Sequence, residues 1–351
     1  MQLFSKTDPR PSAGGFMQVQ AFAKINLVLE VVSKRPDGYH ELKTIMQSLA
    51  LHDTISITTG AIDISQASHK HEDNFRLICS DPSLPTDDRN LVTRAAKFMI
   101  KEYGITQPIT IRLDKRIPVA AGLAGGSSDC AAAILGINSL LDLNIPLQQQ
   151  ANLANVACNK TLGHSTASSL MEIGQNFGAD VPFCLMANAL LNNIGTPRTI
   201  TGASNISSAT AFAEGIGEKL TPLPPHPHVW IVLVCPSIPV STAEIFNRCK
   251  AATTTSVCPD MIHAITNGDL TAIANNFKND LTQVTIKLHP EIQVLLDEMK
   301  NYGAIGAAMS GSGPSVFGYF NNEESAKKAI IKFQNISGRA FLTYIRHKGG
   351  A

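Results

Sequence analysis

Residues 118–134 read PVAAGLAGGSSDCAAAI, which sets three glycines and two adjacent serines before a run of alanines. Glycine lets a backbone adopt positive φ angles and approach a ligand closely. A helix that begins at such a loop presents unpaired N–H groups and a partial positive charge, which suit a phosphate. The stretch therefore predicts a phosphate-binding loop and a following helix whose alanines allow close packing against a sheet. The alternative is an ordinary tight turn before a buried helix.

The loop differs from two common nucleotide-binding signatures. It lacks the G-K-[ST] ending of a Walker A motif and the G-x-G-x-x-G of a dinucleotide-binding fold. Ser127 and Ser128 could cap the helix or offer hydroxyls to phosphate oxygens or Mg²⁺. Lys115 and Arg116, just before the loop, could add positive charge or could be ordinary solvated residues. The residues alone therefore favour phosphate binding and leave the class of nucleotide-binding protein open.

The composition is that of a globular protein with no general affinity for membranes or polyanions. Of 351 residues, 44% are hydrophobic and 16% charged, and the formal net charge is +1. No stretch approaches the ~20 consecutive apolar residues of a membrane helix, and the near-neutral charge argues against a nucleic-acid partner. The seven cysteines contain no C-x-x-C pair, which argues against a zinc cluster or a disulfide framework and favours a reducing cytoplasm. The length favours two domains.

An alternating segment near the start of the chain predicts a half-buried strand. From residue 19 to residue 31 every odd position is apolar, and polar side chains occupy most even positions. Because alternate side chains of a strand share a face, Lys24 and Asn26 should project together from the side opposite the core. The residues before this strand lack the apolar core of a secretory signal. We interpret them as a loose extension, in which Met17 could replace Met1 as the start.

A proline-rich segment, PLPPHPH at residues 222–228, predicts a domain boundary. It cannot continue regular structure, and the WIVLVCP that follows is typical of a new buried strand. We therefore predict an N-terminal domain at 18–228 and a C-terminal domain at 229–345. Within the second, residues 290–303 predict a helix and residues 304–320 predict two strands around a glycine-rich turn. Two polar segments without periodicity, 158–169 and 188–208, are interpreted as surface insertions.

Several motifs carry a resemblance to a known superfamily. PVAAGLAGGSSD resembles the phosphate loop of the GHMP kinases, which include galactokinase, homoserine kinase and mevalonate kinase, and SGSGPSVFG resembles their C-terminal glycine-rich motif. Three further motifs are similar to those of one branch of the superfamily, which phosphorylates 4-diphosphocytidyl-2-C-methyl-D-erythritol in the non-mevalonate (MEP) pathway to isoprenoids and terpenoids. They are AKINLVLEVVSKRPDGYHEL, GADVPF and FAEGIGEKLTPLP. The resemblance runs from about Gln20 to Phe320, interrupted by the two insertions.

The resemblance implies a fold as well as an activity. The expected architecture is a two-domain α+β GHMP kinase fold, with a ribosomal protein S5 domain 2-like N-terminal domain and a ferredoxin-like C-terminal domain. Substrates would lie in the cleft between the domains. The expected reaction transfers the γ-phosphate of ATP to the 2-hydroxyl of the cytidyl substrate, directly and without a phosphoenzyme.

The resemblance also assigns a catalytic pair, Lys24 of AKINL and Asp180 of GADVPF. A tertiary alcohol is barely acidic, so a positioned carboxylate could take its proton as the new bond to phosphorus forms. A nearby ammonium would favour the ionised carboxylate and stabilise charge on the transferring group. On residues alone, Lys24 is typical of a solvated strand position and Asp180 of a turn or helix cap.

ATP is expected along the phosphate loop and the segments before it. The resemblance places it against Asn90, Lys115, Pro118, Gly122, Leu123, Ala124, Gly125, Gly126, Ser127 and Ser128. Asp129 could cap the helix or influence Mg²⁺. No carboxylate cluster predicts a dedicated metal site, which agrees with Mg²⁺ arriving on ATP.

The cytidine end of the substrate requires a base pocket. By resemblance, Tyr39 would stack on the base, His40 would hydrogen-bond its polar edge, and Phe246 would form the second wall with Thr242 nearby. Asn26 matches a further substrate contact. The second domain would add Gly311, Ser312 and Gly313 to the site. On residues alone, Phe246 is typical of a core position.

Two alternatives remain open at this point. The chain could be another GHMP kinase, of the homoserine or mevalonate type, although Tyr39 and His40 argue against that. It could also be a nucleotide-binding regulator without turnover, against which the presence of both Lys24 and Asp180 argues. The histidine pairs in HKH and PHPH have H-x-H spacing but lack an apparent third metal ligand. The sequence does not predict the oligomeric state.

Overall fold

The computed structural model describes residues 14–60, 74–148, 169–194, 208–251, 255–335 and 338–347. The strands are β1 Phe16–Lys34, β2 His40–Thr59, β3 Phe75–Cys79, β4 Ile109–Asp114, β5 Thr210–Gly215, β6 Lys219–Pro222, β7 Trp230–Pro236, β8 Lys278–Asn279, β9 Gly306–Met309, β10 Val316–Phe320 and β11 Gly338–Tyr344. The helices are α1 Leu91–Glu102, α2 Gly125–Leu140, α3 Leu170–Gln175, α4 Val181–Leu191, α5 Thr242–Arg248, α6 Cys258–Asn267, α7 Leu270–Asn275, α8 Thr282–Leu288, α9 Glu291–Asn301 and α10 Glu323–Lys332.

The strands of the described residues form two sheets. The first has the order β3-β4-β2-β1-β8, with β5 pairing β2 and β6 pairing β5. The second has the order β11-β7-β10-β9. The predicted α+β architecture is confirmed. The chain leaves the first sheet after Pro222 and enters the second at Trp230, whereas β8 returns from the second half to pair with β1. The division at 228/229 stays a prediction.

The predicted strand at residues 19–31 forms the middle of β1 but is buried on both faces. Its apolar odd positions are buried as expected, and so are Lys24, Asn26 and Glu30. Two causes are visible. Helices α2 and α4 contact β1, and register shifts against β2 between Phe22 and Lys24 and after Asn26 turn successive segments toward different core clusters. The half-buried strand was therefore the wrong expectation.

The alanine-rich segment forms α2, which approaches the first sheet closely, as predicted. A Cβ atom added to Gly136 would lie only 2.4 Å from Cδ1 of Ile57. The alanines from Ala131 to Ala133 are fully buried. Small side chains are what such a short helix-to-sheet distance requires.

The predicted helix and strands of the second half are present as α9, β9 and β10, with β9 and β10 antiparallel. The second polar segment was placed too early, because Asn188 lies inside α4 and is fully buried. The first polar segment lies outside the described residues up to residue 168, as do residues 195–207 of the second. Within the described ranges, no helix has both the length and the apolar character needed to cross a membrane.

Candidate functional site

A lysine and an aspartate from distant parts of the chain form an ion pair at the centre of the site. Lys24 lies on β1, and Asp180 is the N-cap residue of α4. The distance from Nζ of Lys24 to Oδ2 of Asp180 is 3.3 Å. The lysine side chain is 5% exposed and the aspartate side chain 35% exposed. The carboxylate is thus held by a buried cation and is still open to a reactant.

The ammonium of Lys24 is also fixed by Asn26. It donates to Oδ1 of Asn26 at 2.9 Å, and Nδ2 of Asn26 donates to Oγ1 of Thr44 at 2.8 Å. The hydroxyl of Thr44 in turn donates to the carbonyl oxygen of Val28. This buried network orients Lys24 toward Asp180, and it confirms that Lys24 and Asn26 share a face of β1.

The phosphate loop lies directly beside this pair. The backbone N–H of Lys24 donates to the carbonyl oxygen of Leu123 at 3.1 Å. Helix α2 begins at Gly125, and its N-cap is Ala124, whose methyl side chain cannot accept from the first-turn N–H groups. These groups point to the open end of the helix, where an anion would satisfy them. The loop therefore fits a bound phosphate chain.

The two serines of the loop differ in their surroundings, and neither is the N-cap of α2. The hydroxyl of Ser128 is fully buried and is hydrogen-bonded to the side-chain amide of Asn188. It faces α4 instead of the loop opening. Ser127 is half-buried and lies next to Gly178. A Cβ atom added to Gly178 would be 3.9 Å from Oγ of Ser127. Of the two predicted hydroxyl ligands, Ser127 is the better placed.

Lys115 was predicted to contact ATP, but its ammonium lies between two buried carboxylates. Its Nζ is 2.5 Å from Oδ2 of Asp53 and 2.7 Å from Oδ2 of Asp129. The other oxygen of Asp53 accepts the backbone N–H groups of Arg116 and Ile117. We call Asp53, Lys115 and Asp129 the ion cluster. It ties β2 to the start of the phosphate loop and to α2.

Charge is not balanced in the ion cluster when both carboxylates are ionised. Burial, opposed by the charge of Lys115 and reinforced by that of Asp53, raises the pKa of Asp129 well above its usual range. The pKa of Lys115 is raised overall. Burial acts to lower it, but the negative charges of Asp129 and Asp53 have the larger combined effect. Oδ1 of Asp129 is buried without a hydrogen-bond partner in the described structure. The surroundings of Asp129 therefore disfavour its ionisation.

Asn90 caps α1. Its Oδ1 accepts the N–H of Val92 at 2.9 Å, and its Nδ2 donates to the carbonyl oxygen of Pro85 at 2.8 Å. Both ends of this amide thus have a structural use. The role of Asn90 in ATP binding stays a prediction, as do those of Pro118 and the glycines of the loop.

The predicted base pocket lies where the β1–β2 turn meets α5. Tyr39 is 60% exposed, whereas His40 is buried and its ring centroid is 5.3 Å from that of Phe246. Burial, with a smaller effect from the charge of Lys34, lowers the pKa of His40. The structure brings His40 and Phe246 together and leaves the Tyr39 ring available on the surface.

The glycine-rich turn, residues 310–313, connects these parts. Oγ of Ser310 donates to the carbonyl oxygen of Gly122 at 2.9 Å. The N–H of Gly311 donates to Oδ1 of Asn26 at 3.1 Å, and Oγ of Ser312 is 2.8 Å from Oγ1 of Thr242. A Cβ on Gly122 would lie 2.4 Å from the carbonyl oxygen of Ser310, so only glycine permits this contact. The turn therefore touches the phosphate loop, the hydrogen-bond network of Lys24 and Asn26, and α5.

Sequence reasoning missed three residues of this neighbourhood: Asp53, Asn188 and Asn279. Asn188 had a signal, because an asparagine inside the apolar run FCLMANALL indicates a buried polar group that needs partners. It binds Ser128 and also accepts the N–H of Phe22. Asp53 and Asn279 carry no comparable local signal.

The histidine pairs do not point to a metal in the described part of the chain. The HKH motif at residues 69–71 lies outside the described residues. His226 of PHPH is buried, and its Nε2 lies 3.2 Å from the hydroxyl of Tyr319. Burial lowers its pKa to about 4. Within the described ranges, no three His, Cys, Asp or Glu residues lie close enough together to hold a metal ion.

Comparison with known families identifies both halves of the chain. The GHMP kinases N terminal domain matches residues 90–188, and the GHMP kinases C terminal domain matches residues 261–336. The 4-diphosphocytidyl-2-C-methyl-D-erythritol kinase of Acetivibrio thermocellus is 39% identical over 330 residues, which are 93% of this chain and 98% of that enzyme. The enzyme of the same name from Caldicellulosiruptor bescii is 38% identical over 329 residues, 93% of this chain and 97% of its own.

Solved structures give the same result for the fold. A crystal structure of 4-(cytidine 5'-diphospho)-2C-methyl-D-erythritol kinase superposes with a TM-score of 0.68 at 27% identity, over 95% of this chain and all of its own. A homoserine kinase from Cytophaga hutchinsonii superposes with a TM-score of 0.62 at 17% identity, over 98% of this chain and 99% of its own. The second likeness concerns the fold alone. The predicted two-domain GHMP kinase architecture is confirmed.

Proposed function

This chain belongs to the 4-diphosphocytidyl-2-C-methyl-D-erythritol kinase family of the GHMP kinases, and from that premise we propose how it acts and on what. It is an ATP-dependent small-molecule kinase. Its acceptor is the 2-hydroxyl of 4-diphosphocytidyl-2-C-methyl-D-erythritol, and its products are the 2-phosphate and ADP. The observation that carries this proposal is the pair of Lys24 and Asp180, 3.3 Å apart beside a glycine loop at a helix N-terminus.

Asp180 acts as the general base. Its half-exposed carboxylate accepts the proton of the 2-hydroxyl while the oxygen forms its bond to the γ-phosphorus and the bond from that phosphorus to ADP breaks. The N-terminus of α4, where Asp180 lies, favours negative charge. Lys24 faces the same carboxylate and stabilises charge on the transferring group. No covalent intermediate with the protein is needed, because positioning and electrostatics supply most of the catalysis.

The chain's own residues hold the triphosphate. The N–H groups of Gly125, Gly126 and Ser127, in the first turn of α2, face the phosphates. The space beside Gly126 is open to a ligand, because a Cβ atom added there would have only Cδ1 of Leu91 within 4 Å, at 3.9 Å. Mg²⁺ carried by ATP would neutralise phosphate charge. The Ser127 hydroxyl is the side chain best placed to reach it or a phosphate oxygen.

The base pocket selects the cytidyl end of the substrate. Tyr39 offers an exposed ring for stacking, and His40 is kept neutral by burial, so one ring nitrogen can accept and the other can donate to the base. Thr242, hydrogen-bonded to Ser312, places α5 and Phe246 next to the glycine-rich turn. Base recognition is thereby connected to the catalytic network.

The place of action that fits this chemistry is the cytoplasm. All cysteines in the described ranges are unpaired, and most of them are buried with pKa values raised by burial, for example Cys258 to about 12. Such thiols stay reduced and inert in a reducing compartment. The partners are the two small-molecule substrates.

The test is a phosphotransfer assay of the purified protein with Mg-ATP and each of three acceptors. The cytidyl alcohol should be phosphorylated, and mevalonate and homoserine should not. Tyr39→Ala should raise KM for the cytidyl acceptor about 10-fold, as expected when one aromatic stacking contact is lost, and should leave KM for ATP unchanged. Tyr39→Phe keeps the ring and serves as the matched control. Turnover of mevalonate or homoserine in place of the cytidyl alcohol would overturn the proposal.

A further inference from the structure

The glycine-rich turn, residues 310–313, needs a fixed position, because it contacts three parts of the site at once. The contacts of Ser310, Gly311 and Ser312 reach the phosphate loop, Asn26 and Thr242. All three are single hydrogen bonds with little freedom in length. Gly311 and Gly313 both have positive φ angles, of 59° and 87°. A turn with so little side-chain bulk requires another group to hold its backbone in place.

The hydroxyl of Thr285 donates to the carbonyl oxygen of Ser312 at 3.2 Å, and Asn279 contributes two further bonds to the backbone of the turn. Nδ2 donates to the carbonyl oxygen of Met309 at 2.9 Å and to that of Gly311 at 2.8 Å. Oδ1 accepts the N–H of Leu281 at 3.0 Å. Both N–H bonds of the amide are therefore used on two carbonyls that flank Ser310. No other side-chain type supplies two donors and one acceptor in so short a span.

Asn279 is itself attached to the strand that carries the catalytic lysine. In β8, Lys278 and Asn279 pair in parallel with Val28 and Leu29 of β1. The N–H of Asp280 donates to the carbonyl oxygen of Leu29 at 2.9 Å. The position of the Asn279 amide is thus set by β1, a few residues from Lys24 and Asn26.

These contacts form a chain of hydrogen bonds from Asn279 to the catalytic lysine. Asn279 holds the carbonyl of Gly311, the N–H of Gly311 holds Oδ1 of Asn26, and Asn26 holds the ammonium of Lys24. Lys24 then faces Asp180. A shift of the turn would take the N–H of Gly311 away from Asn26, the side chain that aims the ammonium. Misplacement by about 1 Å can cost on the order of 100-fold in rate.

We propose that Asn279 is a positioning residue of the phosphotransfer reaction, which acts through Gly311 and Asn26 on Lys24 and does not touch either substrate. The proposal rests on the proposed function, since it assigns Lys24 and Asp180 to the chemistry. The substitution that tests it is Asn279→Asp, which keeps the shape of the side chain and removes both donors.

Asn279→Asp should lower kcat per folded molecule about 10- to 100-fold and change the KM values for both substrates less than about 3-fold, because binding groups are left in place. The matched control is Asn276→Asp. Asn276 is half-buried on the same segment, and its Nδ2 donates to the carbonyl oxygen of Ala272 in its own helix. The kcat of Asn276→Asp should stay within about 2-fold of the wild-type value. A kcat for Asn279→Asp as high as that of the control would overturn the proposal.

A double-mutant cycle separates positioning from a general loss of stability. If Asn279 acts through Asn26, Asn279→Asp should lower kcat much less in an Asn26→Ala background than in the wild-type background. If Asn279→Asp lowered kcat by the same factor in both backgrounds, the route through Asn26 would be wrong. Should Asn279→Asp fold poorly, Asn279→Ala replaces it in the same cycle, with kcat referred to the folded fraction.

The same assays distinguish the two proposals from each other. A wild-type protein without phosphotransfer to the cytidyl alcohol would contradict the proposed function. An active wild type with an unaffected Asn279→Asp variant would contradict the positioning role alone.

Discussion

Lys24 and Lys115 are both nearly buried lysines beside the phosphate loop, and they meet their carboxylates in different ways. Lys24 faces one aspartate at 3.3 Å, and that aspartate is 35% exposed. Lys115 lies between Asp53 and Asp129 at 2.5 and 2.7 Å, and both of these side chains are within 3% of complete burial. The first pair has an open side toward solvent and the second does not.

This difference separates a group that can react from a group that holds the fold. A base must reach the proton that it removes, so it needs an exposed oxygen. A carboxylate closed off by protein and bonded to an ammonium and to backbone N–H groups, as Asp53 is, has no access to a substrate. We infer that the ion cluster shapes the phosphate loop and that the Lys24–Asp180 pair performs the chemistry. Each of the following experiments could break that division or sharpen it.

Asp180→Asn should have the largest effect on activity. The amide keeps the shape but cannot take the proton, so kcat should fall at least ~100-fold while both substrates still bind. Some stability should be lost, because the buried ammonium of Lys24 loses its counter-charge, so kcat is referred to the folded protein. The measurements are steady-state kinetics and a thermal melt. Asp260→Asn, an exposed aspartate in the first turn of α6, is the control and should retain full turnover. Unchanged turnover in Asp180→Asn would show that the base is another group.

Lys115→Met should have the largest effect on stability. It leaves the buried carboxyl groups of Asp53 and Asp129 without their cation, and removing one partner of a buried ion pair typically costs about 3–5 kcal/mol. Urea unfolding measures this loss. Lys327→Met, which breaks an exposed pair with Glu323, should leave Tm nearly unchanged. If Lys115→Met were as stable as wild type and raised KM for ATP, the predicted contact of Lys115 with ATP would hold and the ion cluster would not be structural.

The sequence could predict the elements around these two lysines but not the roles of both. Alternation indicated β1, the glycine loop indicated the start of α2, and the shared face of Lys24 and Asn26 followed from strand geometry. The catalytic assignment came from motif resemblance. The surroundings of Lys115 could not be predicted, because Asp53 is 62 positions away in the sequence and meets Lys115 only through the pairing of β2 with β4.

The same limit applies to the missed amides. Asn279 belongs to a two-residue strand, which is too short for any periodic pattern, and its partners at 309 and 311 are set by tertiary packing. The burial of both faces of β1 also depended on packing, since α2 and α4 contact the strand and residues of the second half share its core clusters. Local patterns predict elements, whereas long-range contacts decide which polar residues become closed and which stay open.

Asp129→Asn tests the charge balance of the ion cluster through pH. Burial is the main reason that the pKa of Asp129 is raised above its usual value of 3.8. The folded state then holds a proton that the unfolded state releases, so this contribution to stability is complete below about pH 4 and is lost as pH rises through the folded pKa. The loss is at most about 1.4 kcal/mol per pH unit.

The Tm of Asp129→Asn minus the Tm of wild type is measured from pH 4 to pH 8. This difference should become more positive as the pH rises. The asparagine cannot ionise, and it leaves the pair of Lys115 and Asp53 intact. Asp297→Asn, an exposed change on α9, should give a constant difference across the same range. A constant difference for Asp129→Asn as well would mean that Asp129 is ionised throughout and that the ion cluster carries a net negative charge.

The smallest effect should come from Ala124→Gly, and it asks what the ion cluster holds in place. Ala124 has φ of 54°, in the left-handed region at the N-cap of α2. That conformation costs an L-residue about 1–2 kcal/mol. Glycine removes this strain, but its greater conformational entropy in the unfolded chain lowers stability by about 0.4–1 kcal/mol. Ala124→Gly should therefore stabilise by up to about 1 kcal/mol with turnover retained, whereas Ala132→Gly, inside the same helix, should destabilise by about 1 kcal/mol.

In a Lys115→Met background the loop loses the contacts that hold its entry, and its backbone can relax. The gain from Ala124→Gly should then shrink, since less strain remains to be relieved. Denaturant unfolding of the four proteins of this cycle measures the coupling. An equal gain in both backgrounds would mean that the strain at Ala124 is held by α2 itself, and that the ion cluster stabilises the fold without shaping the phosphate loop.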